Sequence, residues 1–369
     1  MAHSEVENAL DESGLERTTT RRIEVIDFLR GFAIIEMIMS HVAGYFPTVL
    51  AELVGYTETA MALFVLLAGF MIGRHYLPGY LRGQRRTARR LWGRALQILM
   101  IQYIIIATVN IPLHLIGYGS VGREEPLWLF VFKSATFMNQ IGIVHILPIF
   151  IPLFLVSPFI LHLFKAKLDW LVFVLSAALF AVGNFSPHLL DLGEPAVFPF
   201  PVIQIWFVAG CAWGKAAYTS GKLAPRALNR WLIASCAGLI LTMTLYHGKI
   251  FPGRLVSLFP LNIFGLLYQA PIITTLLLGT MRFWRVIRAM PFYPWIALLG
   301  RHALVAFVLH LYCAKAIGLL NSFTAVPPFL NYVLILASIS FTILLLGRYE
   351  RQNRSHPTRG VRALDALFR

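Results

Sequence analysis

Cysteine is nearly missing from this sequence. The three present, Cys211, Cys236 and Cys313, fall in apolar stretches, at spacings that suit neither a disulfide framework nor a metal site. The histidines are too dispersed for ligand spacing, so no metal is expected. Acidic residues are scarce, with 17 Asp and Glu against 32 Lys and Arg and a net charge of +15. Charge of either sign is thin at 13% of residues, about half the soluble norm. No glycine-rich phosphate loop occurs, so a nucleotide-containing ligand has to be gripped by side chains. The first 20 residues, including SEVENALDESGLERTTT, lack the apolar segment of a cleaved signal and read as a flexible cytoplasmic tail. There is no internal repeat and no low-complexity region. The basic excess does not point to nucleic acid, because the Lys and Arg residues sit in segments between apolar runs, the positive-inside pattern.

Those runs are what the chain has in abundance: 58% of its residues are hydrophobic. Repeated long apolar stretches imply an all-α polytopic integral membrane protein, whereas a β-barrel would show short alternating strands. About ten spans are expected, at 28–46, 57–77, 94–116, 143–164, 169–186, 199–217, 230–247, 256–280, 295–319 and 329–347. They form a membrane domain over 21–347, followed by a basic cytoplasmic tail over 348–369. Arg17, Arg21 and Arg22 precede the first span. Arg82, Arg85, Arg86, Arg89, Arg90 and Arg94 fill the expected loop after the second. KAKLD at 165–169, Lys215 through Arg230, Arg282 to Arg288 and the tail from Arg348 continue the alternation, placing both termini in the cytoplasm. The opposite loops carry Glu52, Glu58, Glu124, Glu125, Asp191 and Glu194, with HGKIFPGR as the basic exception. Leu127 to Met138 is too short to span. It reads either as a packing helix or as an interfacial or re-entrant one on the outer side.

The densest chemistry lies in the first span, RIEVIDFLRGFAIIEMIMSHVAGY, where Asp27, Arg30, Glu36 and His41 interrupt an apolar helix. Arg30 and His41 are ~20° from eclipse, with His41 ~16 Å further along the axis. Asp27 lies one turn before Arg30 and can hold its guanidinium. Ionisable residues inside a membrane span are costly and by default mark function. Imidazole is the side chain whose ordinary range lies near neutrality, which makes His41 the natural general base, with Arg30 and Asp27 completing a catalytic stripe. Glu36 points ~140° away from His41, toward a different neighbour or a substrate.

Other polar groups are candidates for ligand contact. Two readings stand for Arg89, Arg90 and Arg94: a topology signal that anchors anionic membrane lipids, or a grip on a phosphate-rich ligand. Asn139, Gln140 and His145 open the fourth span, and Gln204 and Trp206 lie in the sixth. Arg301, His302 and His310 lie in the ninth, with His310 ~12 Å deeper than His302. In the second span, Ala68, Gly69 and Gly73 are small enough for close helix packing.

The segment DFLRGFAIIEMIMSH resembles the first-helix signature of the membrane-bound acyltransferase-3 superfamily, an Arg and a His with ten residues between them, met here by Arg30 and His41. TETAMALFVLLAGFMIGRHY, RRLWGRALQILMIQY, HILPIFIPLFLVSP, FPFPVIQIWFVAGCAWG and LLGRHALVAFVLH are similar, in the same order, to the OpgC-type branch, which succinylates periplasmic glucans. The likeness runs from about residue 21 to 345. Two positions depart from that branch: Ser40 stands where it carries an acid, and His145 where it tends to carry Asp.

The resemblance implies acyl transfer from cytoplasmic acyl-CoA, acetyl or succinyl, to a hydroxyl of a periplasmic or cell-envelope glycan, in a bacterial inner membrane. On this reading Arg89, Arg90, Arg94 and Arg301 hold coenzyme A, and Glu36, Gln140, His145, Gln204 and His310 contact substrate. A transporter or flippase for an anionic or acylated solute is the competing expectation. Such proteins also keep His and Arg in the membrane but tend to have broken helices and inverted repeats.

Overall fold

The computed structural model describes residues 23–42, 59–118, 125–138, 146–186, 200–219, 225–247, 262–324 and 326–355. Within them every regular element is helical. In chain order these are α1 Glu24–Val42, α2 Ala60–Arg82, α3 Gln84–Leu115, α4 Leu127–Ala135, α5 Ile146–Lys165, α6 Asp169–Phe185, α7 Phe200–Thr219, α8 Pro225–His247, α9 Ile263–Arg282, α10 Trp284–Ala289, α11 Tyr293–Arg301, α12 Ala303–Phe323 and α13 Pro328–Ser355. Seven described helices are long and apolar enough to cross a membrane: α2, α3, α5, α8, α9, α12 and α13. Each of the other expected spans also overlaps a helix. α1 carries four charged residues, α6 is 17 residues long, and α7 includes Lys215.

Several boundaries differ from expectation. The arginine-rich stretch after the second span is helix, not loop. Only Gly83 separates α2 from α3, and Arg85 to Arg94 ride on the first turns of α3. The ninth span is split at His302 into α11 and α12. The last helix runs past residue 347 to Ser355. α2 and α3 each contain a π-helical turn, at Ile72–Tyr76 and Ile106–Asn110. α5 and α9 continue through Pro152, Pro158 and Pro271.

Helix contacts are closest where glycine removes the side chain. Gly69 and Gly73 on α2 and Gly210 and Gly214 on α7 interlock. A Cβ on Gly69 would lie 2.0 Å from the Phe207 carbonyl oxygen, and one on Gly210 2.0 Å from that of Leu66. This is the small-residue packing that membrane helices use in place of hydrophobic burial. α1 and α11 meet in the same way, since a Cβ on Gly300 would sit 1.6 Å from the Asp27 carbonyl oxygen and one on Gly31 1.8 Å from that of Ile296. α6 and α7 are joined by Gln204, which accepts from Ser176 Oγ at 2.8 Å and donates to the Ser176 carbonyl at 2.9 Å. The short α4 packs on the far end of α3, where buried Phe130 stacks on His114 with ring centroids 4.1 Å apart. α8 packs chiefly on α9 and leaves Trp231, Ile233, Ile240 and Leu241 exposed, a face fit for lipid.

Candidate active site

α1 is held at its start by the α10–α11 corner. Phe28 stacks on Tyr293 with centroids 6.1 Å apart, and Glu24 pairs with Arg288 at 3.5 Å. Together with the glycine contact at Asp27 and Gly300, this fixes the height and rotation of the helix, and hence where Arg30 and His41 point. Asp27 is buried one turn below Arg30. Glu36 is buried too and accepts from the backbone nitrogen of Thr59 at 2.8 Å and from its hydroxyl at 3.2 Å. Thr59 directly precedes α2, so this carboxylate satisfies an otherwise orphaned amide at a helix start. Glu36 thus ties α1 to α2.

A cavity of ≈ 160 Å³ opens beside Arg30. Three cations from three helices line it: Arg30 of α1, Arg94 of α3 and Arg301 of α11. Its remaining walls are apolar and include Phe64, Phe150, Phe154 and Phe307. Phe64 packs edge-on against Phe150 at 5.9 Å and lies 6.4 Å from Phe307. Phe307 in turn meets the ring of His310 at 4.8 Å. His310 is buried in α12, and its Nε2 lies 3.1 Å from Nδ1 of His41. The two imidazoles are parallel, with centroids 5.2 Å apart. An arginine-lined mouth, an aromatic throat and a histidine pair therefore follow one another along the inside of the bundle.

Arg301 is oriented from behind. Glu350 on α13 accepts a hydrogen bond from its Nη2 at 3.2 Å and forms an ion pair with its Nε at 2.9 Å, and the same carboxylate lies 3.1 Å from His302 Nε2. Arg94 donates to Gln97 at 2.7 Å and also lines a neighbouring cavity of ≈ 480 Å³ with His75, Thr87 and Arg90. The expected arginine trio is thus divided. Arg90 and Arg94 line one cavity, and Arg94 also lines that of Arg30, whereas Arg89 lies in a separate groove beside Phe159 and His162 of α5. Gln204, expected to touch substrate, is buried and bonded to Ser176 and to the Pro201 carbonyl, where it locks α6 to α7. Gln140 and His145 lie outside the described residues. Among the described residues no cluster of three or more His, Cys, Asp or Glu is placed to hold a metal ion.

Residues 23–348 match a family model described as an acyltransferase domain. The chain belongs to the acyltransferase-3 family. No curated protein and no solved structure matches it. With several apolar helices long enough to cross a bilayer, this acyltransferase is a multi-pass membrane protein.

Two parts of the acyltransferase site were not visible in its sequence. Glu350 is a lone acid in a basic run, RYERQNR, and only the folded chain brings it to Arg301, 49 residues away. The phenylalanines of the throat look like any others in an apolar span. His310, expected as a substrate contact, is set by the fold against His41 from 269 residues away.

Proposed function

We propose that the protein is a bacterial inner-membrane O-acyltransferase that moves a succinyl or acetyl group from cytoplasmic acyl-CoA to a hydroxyl of a periplasmic or cell-envelope glycan. The observation that carries this reading is the order of groups along one path: Arg30, Arg94 and Arg301, then Phe64 and Phe307, then His310 and His41. Coenzyme A is polyanionic at one end and carries its thioester on a long, flexible, weakly polar arm. Arg90 and Arg94 are suited to its phosphates, since guanidinium groups bind phosphate by paired, charge-assisted bonds. The apolar throat suits the arm, and the histidine pair stands where the thioester would arrive.

In the reaction, His41 takes the proton of the acceptor hydroxyl as its oxygen attacks the thioester carbonyl. The carbon–sulfur bond breaks, and the proton leaves with the coenzyme A thiol. His310 shares a proton with His41 Nδ1 and so fixes which nitrogen of His41 faces the reactants. Resemblance to the OpgC-type branch supports succinyl as the acyl group and a glucan as the acceptor. A succinyl carboxylate finds a cation in Arg301.

The test is acyl transfer in proteoliposomes, with radiolabelled acetyl- and succinyl-CoA offered with a panel of glycans to the wild type and His41→Ala. Label that reaches a glycan and vanishes in the variant is the expected result. Folded protein that neither binds nor cleaves any acyl-CoA would refute the assignment and favour transport. Label on the protein alone would mean transfer through an acyl-enzyme.

A further inference from the structure

We propose that the outward face of the first turns of α3, together with the end of α5, is a binding site for an anionic glycerophospholipid of the leaflet on that side. This site is separate from the cavities of Arg90 and Arg94. Arg85, Arg89 and Trp92 recur at helical spacing and share one face of α3, whose mean direction is ~150° around the helix from that of Arg90 and Arg94. That face borders a groove of ≈ 470 Å³, closed on its other sides by Tyr80 of α2 and by Phe159 and His162 of α5.

The electrostatics of this corner are unbalanced. A helix start carries partial positive charge and favours anions. α3 has no acid in its first turn, which instead carries Arg85 and Arg86, with Arg89 and Arg90 one turn further on. None of these four makes an ion pair or hydrogen bond among the described residues. Arg85 and Arg86 at the positive end of the helix dipole, with Arg89 and Arg90 just behind them, repel one another, and a phosphate in the groove relieves that repulsion.

The groove also continues as an apolar track. Leu96 and Met100 follow Trp92 along α3, Leu155, Val156 and Phe159 run beside them on α5, and all are exposed. Trp92 bridges the two helices at the boundary, donating to the Leu155 carbonyl at 3.3 Å, the position at which indoles sit between headgroups and acyl chains. A soluble phosphate would use the cations and leave the track bare, whereas a phospholipid uses both.

The test uses the full chain, purified and delipidated in detergent, with lipid binding read by native mass spectrometry and thermal shift. Phosphatidylglycerol is compared with phosphatidylcholine, and soluble glycerol 3-phosphate and coenzyme A are added as competitors. The wild type is expected to prefer phosphatidylglycerol. Arg85→Gln with Arg89→Gln should lower that preference by about thirtyfold, whereas Lys at both positions should keep most of it. The competition series on the wild type needs no variant. Equal binding of the two lipids would overturn the proposal, as would an unchanged preference in the Gln pair. Displacement by glycerol 3-phosphate at the same concentrations would make the groove a site for soluble phosphates. Displacement by coenzyme A would assign it to the acyl donor.

Discussion

Replacing His310 by Ala tests whether the histidine pair works as a unit. The substitution removes the buried ring whose Nε2 lies 3.1 Å from Nδ1 of the half-buried His41. Orphaning a buried polar group costs about 1–3 kcal/mol. Most of that falls on the reaction step, because an unanchored imidazole loses the orientation and tautomer needed to accept the acceptor's proton. By transition-state arithmetic kcat should fall about 5-fold to 150-fold. KM for acyl-CoA should stay within about twofold, since Arg30, Arg94 and Arg301 are untouched and ground-state donor binding is retained. His310→Gln places an amide close to where Nε2 stood and should recover most of the lost rate. The assay is steady-state transfer of radiolabel in proteoliposomes, with donor concentration varied for each variant. If the Ala variant kept wild-type kcat, or lost efficiency entirely through KM, His310 would not act through His41.

Three further variants probe other links. Gly69→Ala forces a methyl group to within 2.0 Å of a backbone oxygen on α7, so the helices must separate. Thermal unfolding in detergent should show a loss of about 1–3 kcal/mol. Arg94→Ala removes a cation shared by both donor-side cavities and should raise KM for acyl-CoA about tenfold to hundredfold, with Arg94→Lys falling between it and the wild type; unchanged KM in both would remove Arg94 from the donor site. Ser176→Ala strips the hydroxyl bonded to Gln204 and should lower stability by about 1–2 kcal/mol with kcat/KM within about twofold, so a selective rise in KM would return Gln204 to the substrate contacts.

The helical nature of the chain was plain in the sequence, because long apolar runs with few charges admit little else. The stripe from Arg30 to His41 was equally legible, since both lie on one helix and its periodicity is enough. The close packing expected at Gly69 and Gly73 is present, whereas its partners Gly210 and Gly214 are set by tertiary contact. Reading Arg85 to Arg94 as a loop hid their division into two faces. A helix begun at Gln84 would have placed Arg85, Arg89 and Trp92 on one side and Arg90, Arg94 and Gln97 on the other. The meeting of His41 with His310, and of Arg301 with Glu350, joins distant segments through the fold. No local pattern encodes such contacts.

The phenylalanine throat has a consequence for the membrane around the protein. An enzyme with charged groups at one face and proton-handling groups deep within risks a continuous wet column through which ions would leak and run down the gradient. Phe64, Phe150 and Phe307 put an apolar lining beside the arginines, and Phe307 meets the ring of His310. A slender chain can push between such rings, because they yield by rotating, while a hydrated ion gains nothing there to replace its water. On the proposed mechanism, the rings that admit the substrate arm thus also oppose the passage of ions between turnovers.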